Sequence, residues 1–265
     1  MNALKDTWYI TLRDLRTRIR MPIFLVMSMA QPILFLLLFP QIFNSVGSTG
    51  GSTGASSISM FPPGTSYLQF FAPGILVMTG LFSAAFSGMS TIMDMDTGIL
   101  SRMMATPVTR VSIVLGRVIA TVVVILAQAI VMLVIAIVMG VHIKTGFGGV
   151  LLALLLIGLL GLTLSAFSNG MALWLKRQET LMATINLFTM PLMFLSTMMM
   201  PSQALPHWLN VVRHFNPIDY TIVGVRDLVL NGYIWHDLWR SFAVLGVIAV
   251  VMVAFATLMF RRRAE

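Results

Sequence analysis

Long apolar stretches alternate with short polar segments along the chain. Six of the stretches have about the length of a bilayer-crossing helix, roughly 20 residues. They cover residues 22–43, 70–92, 112–139, 150–175, 180–200 and 241–260. The pattern predicts an all-α polytopic membrane protein with six transmembrane helices, forming a single domain over residues 1–265.

The residues before the first apolar stretch show helical periodicity. Apolar positions recur at steps of three and four: Leu4, Trp8, Leu12, Leu15 and Ile19. The basic residues of the segment lie mostly off this stripe, so residues 1–21 are predicted to form an amphipathic helix at the membrane surface. Docking of the same helix on a partner domain is the alternative, and the two interpretations are compatible. The scattered charges and the long apolar run that follows do not fit a secretory signal.

A short polar-to-amphipathic segment, residues 94–117, separates the second and third stretches. Asp94 and Asp96 are expected in the first turn of a helix, where negative charge is favourable. Apolar side chains follow at helical spacing and are expected to face outward: Ile99, Leu100, Met103 and Met104. Thr106-Pro107 should end this helix. The segment is predicted to be a docking element for another protein, with an ordinary loop as the alternative.

Small residues and prolines mark three further places. The second stretch is rich in Gly, Ala and Ser, which predicts close packing against a neighbouring helix. Gln31-Pro32 predicts a bend in the first span. Between residues 201 and 239 two short amphipathic helices are predicted at the outer leaflet, the second starting at Asn216-Pro217, with Asp219 in a capping-box position, and stopping at Asn231-Gly232.

Composition agrees with the membrane interpretation, and charge supplies the orientation. The chain is 58% hydrophobic and 10% charged, and it has no cysteine and a net charge of +8. Thirteen of the 17 basic residues fall in the termini, in the loops after even-numbered spans or, for Arg117, at the end of the segment 94–117. The positive-inside rule then places both termini in the cytoplasm. The charge is therefore topogenic, and no nucleic acid is expected as a partner.

Catalytic and energy-coupling motifs are absent from the sequence. There is no H-E-x-x-H and no G-x-x-x-x-G-K-[ST] phosphate loop. The acidic residues avoid the interiors of the predicted spans, which argues against proton-coupled transport. No metal site is predicted, and the chain is not expected to be an enzyme. If it moves a substrate uphill, a partner must supply the energy.

Three stretches carry a resemblance to a known family. They are Gln31-Pro32 followed by ILFLLLF, the central MDTGILSRMMATPVTR, and the closing PLMFLSTMMMPSQALPHWLNVVRHFNPIDYTIVGVRDLVLNG. The chain resembles the permease subunits of type-2 ABC exporters, in particular the daunorubicin-resistance-like drug and lipid exporters. It departs from many relatives in its Asp94-Met95-Asp96 and in a Gly/Ser-rich first external loop.

The resemblance implies partners and a cargo. Two ABC ATPase subunits would bind ATP and Mg, this chain would bind no cofactor, and a second permease copy would complete the complex, as a homodimer rather than a heterodimer. The complex would lie in the bacterial cytoplasmic membrane and export an amphiphilic drug- or lipid-like cargo. A polysaccharide or glycolipid exporter is the alternative, followed by an ATP-independent channel or a membrane enzyme.

The resemblance also implies roles for three sets of residues. A cytoplasmic coupling helix would contact or position the ATPase through Thr97, Gly98, Leu100, Arg102, Met103, Thr106, Pro107 and Arg110. The cargo path would include Gln31, Phe35, Phe39, Met190, Phe194 and Met198. The two short outer helices would form a lid with Trp208, Asn216, Pro217, Tyr220 and Arg226.

Overall fold

The computed structural model describes residues 3–20, 22–49, 67–105, 108–198 and 207–262, and these residues form helices and short connections without a strand. In chain order the helices are α1 (Ala3–Ile19), α2 (Pro22–Thr49), α3 (Tyr67–Ala85), α4 (Gly88–Asp96), α5 (Ile99–Met104), α6 (Arg110–Val138), α7 (Gly146–Leu175), α8 (Gln178–Phe194), α9 (His207–Val212), α10 (Pro217–Leu230) and α11 (Trp235–Arg262). The all-α prediction is confirmed.

Four segments within the described part of the chain are long and apolar enough to cross a membrane. They are Tyr67–Asp96, which joins α3 and α4, Val111–Val138, Gly146–Leu175 and Trp235–Arg261. These correspond to four of the six predicted spans and make the chain a multi-pass membrane protein. The first and fifth spans stay predictions, because α8 has only 17 residues and the described apolar part of α2 is the shorter Ser28–Ile42.

Exposed aromatic residues mark both ends of α7. Phe147 is 85% exposed near its first residue and Trp174 is 66% exposed near its last. The two positions are 27 residues apart, or about 40 Å along an α-helix. That separation matches a bilayer including its interfacial layers, where aromatic side chains concentrate. Exposed Trp235 and Trp239 mark the start of α11 in the same way.

The predicted second span is two helices rather than one. The helix is interrupted between Ala85 and Gly88, where it lies against Ser168 of α7. The Gly88 N–H donates to Ser168 Oγ at 3.0 Å, and Ser168 Oγ in turn donates to the Ala85 carbonyl. A Cβ on Gly88 would lie 2.4 Å from the Ser168 carbonyl oxygen, so only glycine permits this approach. The predicted close packing of small residues is confirmed.

Helix α1 lies against the beginning of α6. Ile10, Thr11 and Asp14 form its buried face. Thr11 Oγ1 donates to the Gly116 carbonyl at 3.1 Å, and a Cβ on Gly116 would come within 2.7 Å of Ile10 Cγ2. Glycine at position 116 therefore lets the two helices touch.

The predicted limits of α10 are confirmed. The Asn216 side chain accepts from the Ile218 N–H at 3.0 Å, Pro217 occupies the first turn, and Gly232 follows the C-cap with φ +111°. The capping-box prediction for Asp219 is wrong, because its carboxylate accepts from the backbone and hydroxyl of Thr197, both at 2.7 Å. Helix α2 continues through Pro32, and the bend predicted there stays a prediction.

Candidate functional site

The central segment forms a short helix at the end of the bundle that carries α1. Helix α5 begins after Gly98, whose φ of +71° lies in the left-handed region and reverses the chain after α4. The expectation that Asp94 and Asp96 open a helix is wrong, because they lie in the last turn of α4. There the negative end of the helix dipole disfavours a carboxylate, so neighbouring cations must stabilise it.

A groove of about 360 Å³ lies between α1, α5 and the start of α6. Its lining is apolar apart from two arginines: Ile10, Arg13, Ile99, Arg102, Met103, Val108 and Ile113. A groove with apolar walls and cationic groups suits an apolar side chain flanked by acidic groups of another protein.

The apolar side chains of α5 point in two directions. Leu100 is only 1% exposed and packs in a core cluster with Ile10 and Ile113, so the expectation that it faces outward is wrong. Ile99 and Met103 are half-buried and line the groove. The periodicity of four apolar residues identified an apolar face, but it could not say which part of that face the chain's own helices would cover.

Of the remaining predicted coupling residues, two are exposed and three have side chains that are not described. Thr97 and Arg102 are exposed at the surface of the turn and of α5. Thr106 and Pro107 lie outside the described residues. Arg110 is the first residue of α6, and its side chain is likewise not described.

An ionic cluster below the groove ties α1, α4 and α6 together. The Asp94 carboxylate accepts from the Arg117 guanidinium, and from Arg13 Nη2 at 3.2 Å. Arg13 also donates to Met103 Sδ at 2.7 Å, which connects the cluster to α5. Arg117 is only 3% exposed. Asp94 lies at the edge of the apolar segment Tyr67–Asp96, as expected for the acidic residues, whereas the basic Arg117 lies inside the segment Val111–Val138.

A chain of hydrogen bonds continues from Arg117 into the bundle. Arg117 Nη1 donates to Thr91 Oγ1 at 2.8 Å, and Thr91 Oγ1 donates to Asn169 Oδ1 at 2.5 Å. Asn169 Nδ2 then donates to Ser87 Oγ at 3.2 Å, at the interruption between α3 and α4. The groove is thus connected, bond by bond, to the place where the second apolar segment changes direction.

The residues of this hydrogen-bond chain were not predicted from the sequence as functional candidates. A signal was present, because Arg117 and Asn169 are polar residues inside predicted spans, and an ionisable residue in a span is a functional-site candidate by default. Their partners could not be found from sequence spacing, since Asn169 and Thr91 are 78 positions apart.

The predicted cargo-path residues lie on α2, on α8 and in the turn that follows α8. On α2, Gln31 is exposed, while Phe35 and Phe39 are half-buried with ring centroids 5.0 Å apart. On α8, Met190 and Phe194 are exposed. Met198 is 1% exposed and packs against Gly74 of α3, so it does not reach a surface of the described chain.

The predicted lid residues serve partly to fasten α10. Arg226 donates to the Thr197 carbonyl at 2.8 Å, and its guanidinium lies 3.9 Å from the centroid of the Phe70 ring. Burial lowers the pKa of Arg226 to about 10, against the opposing effect of Asp219 and Asp227, so it is charged at neutral pH. Asn216 Nδ2 donates to the Leu192 carbonyl at 2.6 Å.

The other three lid residues lie closer to the surface. Trp208 is exposed on α9, while Pro217 and Tyr220 are half-buried on α10. The Tyr220 carbonyl accepts from Ser241 Oγ at 2.9 Å, which holds α10 against α11. Among the described residues no three histidine, aspartate or glutamate side chains converge on a position that could hold a metal ion.

Comparison with known proteins gives consistent matches. The ABC-2 type transporter family matches residues 5–230. A protein named as a transport permease, ycf38, of Cyanophora paradoxa is 30% identical over 210 residues, covering 79% of this chain and 69% of the relative. The daunorubicin resistance ABC transporter permease protein DrrB1 of Streptomyces coeruleorubidus is 24% identical over 91% of this chain and 79% of its own length. A protein of Escherichia coli named as a multidrug ABC transporter permease, YbhR, is 26% identical over 77% of this chain and 55% of its own length.

Proposed function

The chain belongs to the ABC-2 type transporter family, the membrane components of ABC transporters, and we propose that it is the permease subunit of an ATP-driven exporter of amphiphilic drug- or lipid-like molecules. Family membership implies partnership with ABC ATPase subunits and a transport role rather than catalysis by this chain. In the proposed complex two ATPase subunits hold ATP and Mg, and two copies of this chain form the membrane part.

The groove between α1, α5 and α6 is the observation that carries the proposal. An ATPase subunit would seat against the exposed Thr97 and Arg102 and insert an apolar side chain between Ile99 and Met103. Leu100 would position α5 from inside instead of touching the partner. Thr106, Pro107 and Arg110 belong to the proposed contact by family resemblance alone.

The hydrogen-bond chain offers a physical route for force. A displacement of α5 would act on Met103, then on Arg13, and through Asp94 on Arg117. From Arg117 it would pass to Thr91, Asn169 and Ser87 and so alter the angle between α3 and α4. Coupling of this kind requires an element with two arrangements that the partner stabilises differently. The interruption at residues 86–87 is the proposed element.

The proposed topology has six spans with both termini in the cytoplasm. The distribution of basic residues supports it, since 13 of the 17 fall on the side of the termini. The 28 residues of α2 reach about 42 Å, enough to cross a bilayer. The 17 residues of α8 reach about 25 Å. Its last turn is fastened to α10, so α8 would enter the outer leaflet together with that helix.

The proposed cargo follows from the faces of α2 and α8. Exposed Met190 and Phe194 on α8, and Gln31 beside Phe35 and Phe39 on α2, offer apolar and aromatic surface with a single amide. Such a surface suits an amphiphile better than an ion or a sugar chain. The names of two relatives, one for daunorubicin resistance and one for multidrug transport, support the same class. A polysaccharide or glycolipid exporter is the second candidate.

The test is co-purification of the chain with candidate ATPase subunits, followed by ATP hydrolysis with and without amphiphilic cargo. We expect stable association and stimulation by cargo. Arg102→Glu should weaken association about tenfold and abolish stimulation, whereas Arg240→Glu, an exposed charge reversal at the other end, should change neither. Association that survives Arg102→Glu unchanged would refute the proposed seat, and failure of every ABC ATPase to bind would refute the function.

A further inference from the structure

Helix α1 keeps a broad apolar face that no other described helix covers. Its buried side, formed by Ile10, Thr11 and Asp14, lies on α6. The predicted apolar stripe points elsewhere: Leu4, Trp8 and Ile19 are 86%, 60% and 61% exposed, and Leu12 and Leu15 are half-buried. A stripe of this kind, with a tryptophan in it, is typical of a helix lying in the membrane interface.

Three cations run along one edge of this stripe. Lys5, Arg16 and Arg20 are exposed, and at 100° per residue they fall within about 60° of one another around the helix. None of the three has a carboxylate partner among the described residues. Arg13 and Arg18, by contrast, are engaged inside the bundle with Asp94 and Thr121. The edge of the stripe therefore carries uncompensated positive charge.

The contacts of α1 on α6 place the helix beside the first turns of an apolar segment. Thr11 bonds to Gly116 at 3.1 Å and Arg18 bonds to Thr121 at 3.0 Å. These two positions are about 8 and 15 Å inside the first residue of the apolar segment Val111–Val138. With the bilayer beginning at the start of this segment, the stripe would be level with acyl chains and the cations beside it would reach the headgroup layer.

We propose that this face of α1 binds the bilayer surface and that Lys5, Arg16 and Arg20 select anionic phospholipid headgroups. The apolar stripe supplies attachment, and the three cations supply the preference for negative lipid, because basic residues near an anionic surface are attracted to it. The inference rests on the proposed function at one point only, which is the assignment of this bilayer surface to the cytoplasmic leaflet. The groove side of α1, with Arg13, is left for the ATPase.

The test uses the full chain in lipid nanodiscs with Trp8 as its one tryptophan, the other four being replaced by Phe. The probes are brominated phosphatidylglycerol and brominated phosphatidylcholine, each present at the same mole fraction in an otherwise identical mixture. We expect Trp8 to be quenched about threefold more by the anionic lipid, and the ratio to fall with added salt. Lys5→Gln/Arg16→Gln/Arg20→Gln should bring the ratio to about one while Trp8 stays accessible to both lipids.

A matched control separates this site from general surface charge. Lys176→Gln/Arg177→Gln removes two cations from the turn between α7 and α8, at the same end of the bundle, and should leave the Trp8 ratio unchanged. Equal quenching by the two lipids, or a ratio that survives the triple substitution, would overturn the proposal. Trp8 quenched by neither lipid, and shielded only when an ATPase subunit is added, would assign the face to that protein instead.

A second measurement avoids the tryptophan replacements. Native mass spectrometry of the unaltered chain and of the triple variant, released from mixed-lipid nanodiscs, counts the phosphatidylglycerol molecules retained. Fewer retained anionic lipids in the triple variant, with phosphatidylcholine unchanged, would support the proposal. Equal retention would overturn it. Neither experiment needs the ATPase, so failure here is distinct from failure of the proposed exporter function.

Discussion

Asp94 and Arg117 form an ion pair across 23 positions of sequence, joining the last turn of α4 to the first third of α6. Arg117 is 3% exposed and Asp94 is 19% exposed, so the cation is the more deeply buried partner. Removing one partner of a buried pair costs more than removing both, because the remaining charge is left without compensation. The pair should therefore behave as a unit.

For this reason Asp94→Asn should destabilise the protein by about 2–3 kcal/mol, somewhat below the usual cost for a fully buried pair because Asp94 is partly exposed. Asp94→Asn/Arg117→Met should recover more than half of that loss. Thermal unfolding in detergent, followed by size-exclusion chromatography, measures both. Exposed Asp96 provides the control, and Asp96→Asn should leave the midpoint within about 1 °C. A double variant no more stable than Asp94→Asn would show that the two residues act separately.

The interruption between α3 and α4 depends on the absence of a side chain at residue 88. Gly88→Ala would place a methyl group 2.4 Å from the Ser168 carbonyl oxygen, against backbone that cannot swing away. Overpacking of this kind costs about 1–3 kcal/mol, and the midpoint of thermal unfolding should fall accordingly. Gly246→Ala in α11 is the matched control, since nothing lies within 4 Å of its added Cβ. Alanine favours a helix over glycine, so the control should be neutral or stabilising. Equal loss in both variants would contradict the packing argument.

The sequence predicted the long elements well for a simple physical reason. Apolar stretches of 20 residues or more have one stable form in a bilayer, so the limits of α6, α7 and α11 lie within six residues of the prediction. Where polar residues interrupt an apolar stretch, tertiary contacts determine where the helix ends. Helix α8 ends at Phe194, short of the predicted 200, because Asp219 and Asn216 fasten the turn that follows it.

The candidate site was predictable in position but not in internal arrangement. The periodicity of residues 99–104 predicted a short helix, and the structure contains it. Which face of this helix is buried depends on α1, which covers Leu100 and leaves Met103 at the groove. No local pattern in the sequence contains that information. The same holds for the pairing of Thr91 with Asn169, which requires α4 and α7 to be neighbours.

The hydroxyl of Thr91 should matter more for coupling than for stability. Thr91→Val keeps the shape of the side chain but removes the hydroxyl that links Arg117 to Asn169 in the hydrogen-bond chain. We expect ATP hydrolysis by the assembled complex to persist while its stimulation by cargo falls about fivefold or more, which corresponds to roughly 1 kcal/mol of coupling. The measurement is basal and cargo-stimulated hydrolysis in nanodiscs.

Thr79→Val is the control for that substitution. Thr79 is also fully buried and lies in α3 of the same apolar segment, but its hydroxyl donates only to the Ile75 carbonyl of its own helix. It should leave stimulation unchanged. Loss of stimulation in both variants, or in neither, would show that the hydrogen-bond chain does not transmit the signal.

Asp227 gives the protein a dependence of stability on pH at the end of the bundle opposite α1. Desolvation raises the pKa of Asp227, with the neighbouring Asp237 acting in the same direction, while Asn231 and Arg226 oppose the shift. Because the folded state then holds this proton more tightly than the unfolded chain, its contribution to stability is greatest below the ordinary carboxyl pKa, near 3.8. That contribution is lost as the pH rises through the elevated pKa.

Asp227→Asn keeps an acceptor for the Asn231 amide, which donates to Asp227 Oδ1 at 2.8 Å, and removes the charge. The variant should therefore match the parent near pH 4 and exceed its midpoint of unfolding by about 2–4 °C at pH 8, an increment typical of 1 kcal/mol in a chain of this size. Thermal unfolding between pH 4 and 8 tests this, with Asp96→Asn as an exposed carboxylate control that should follow the parent at every pH. A variant that is less stable than the parent at pH 8 would mean that the Arg226 attraction outweighs desolvation and would reverse the sign of the argument.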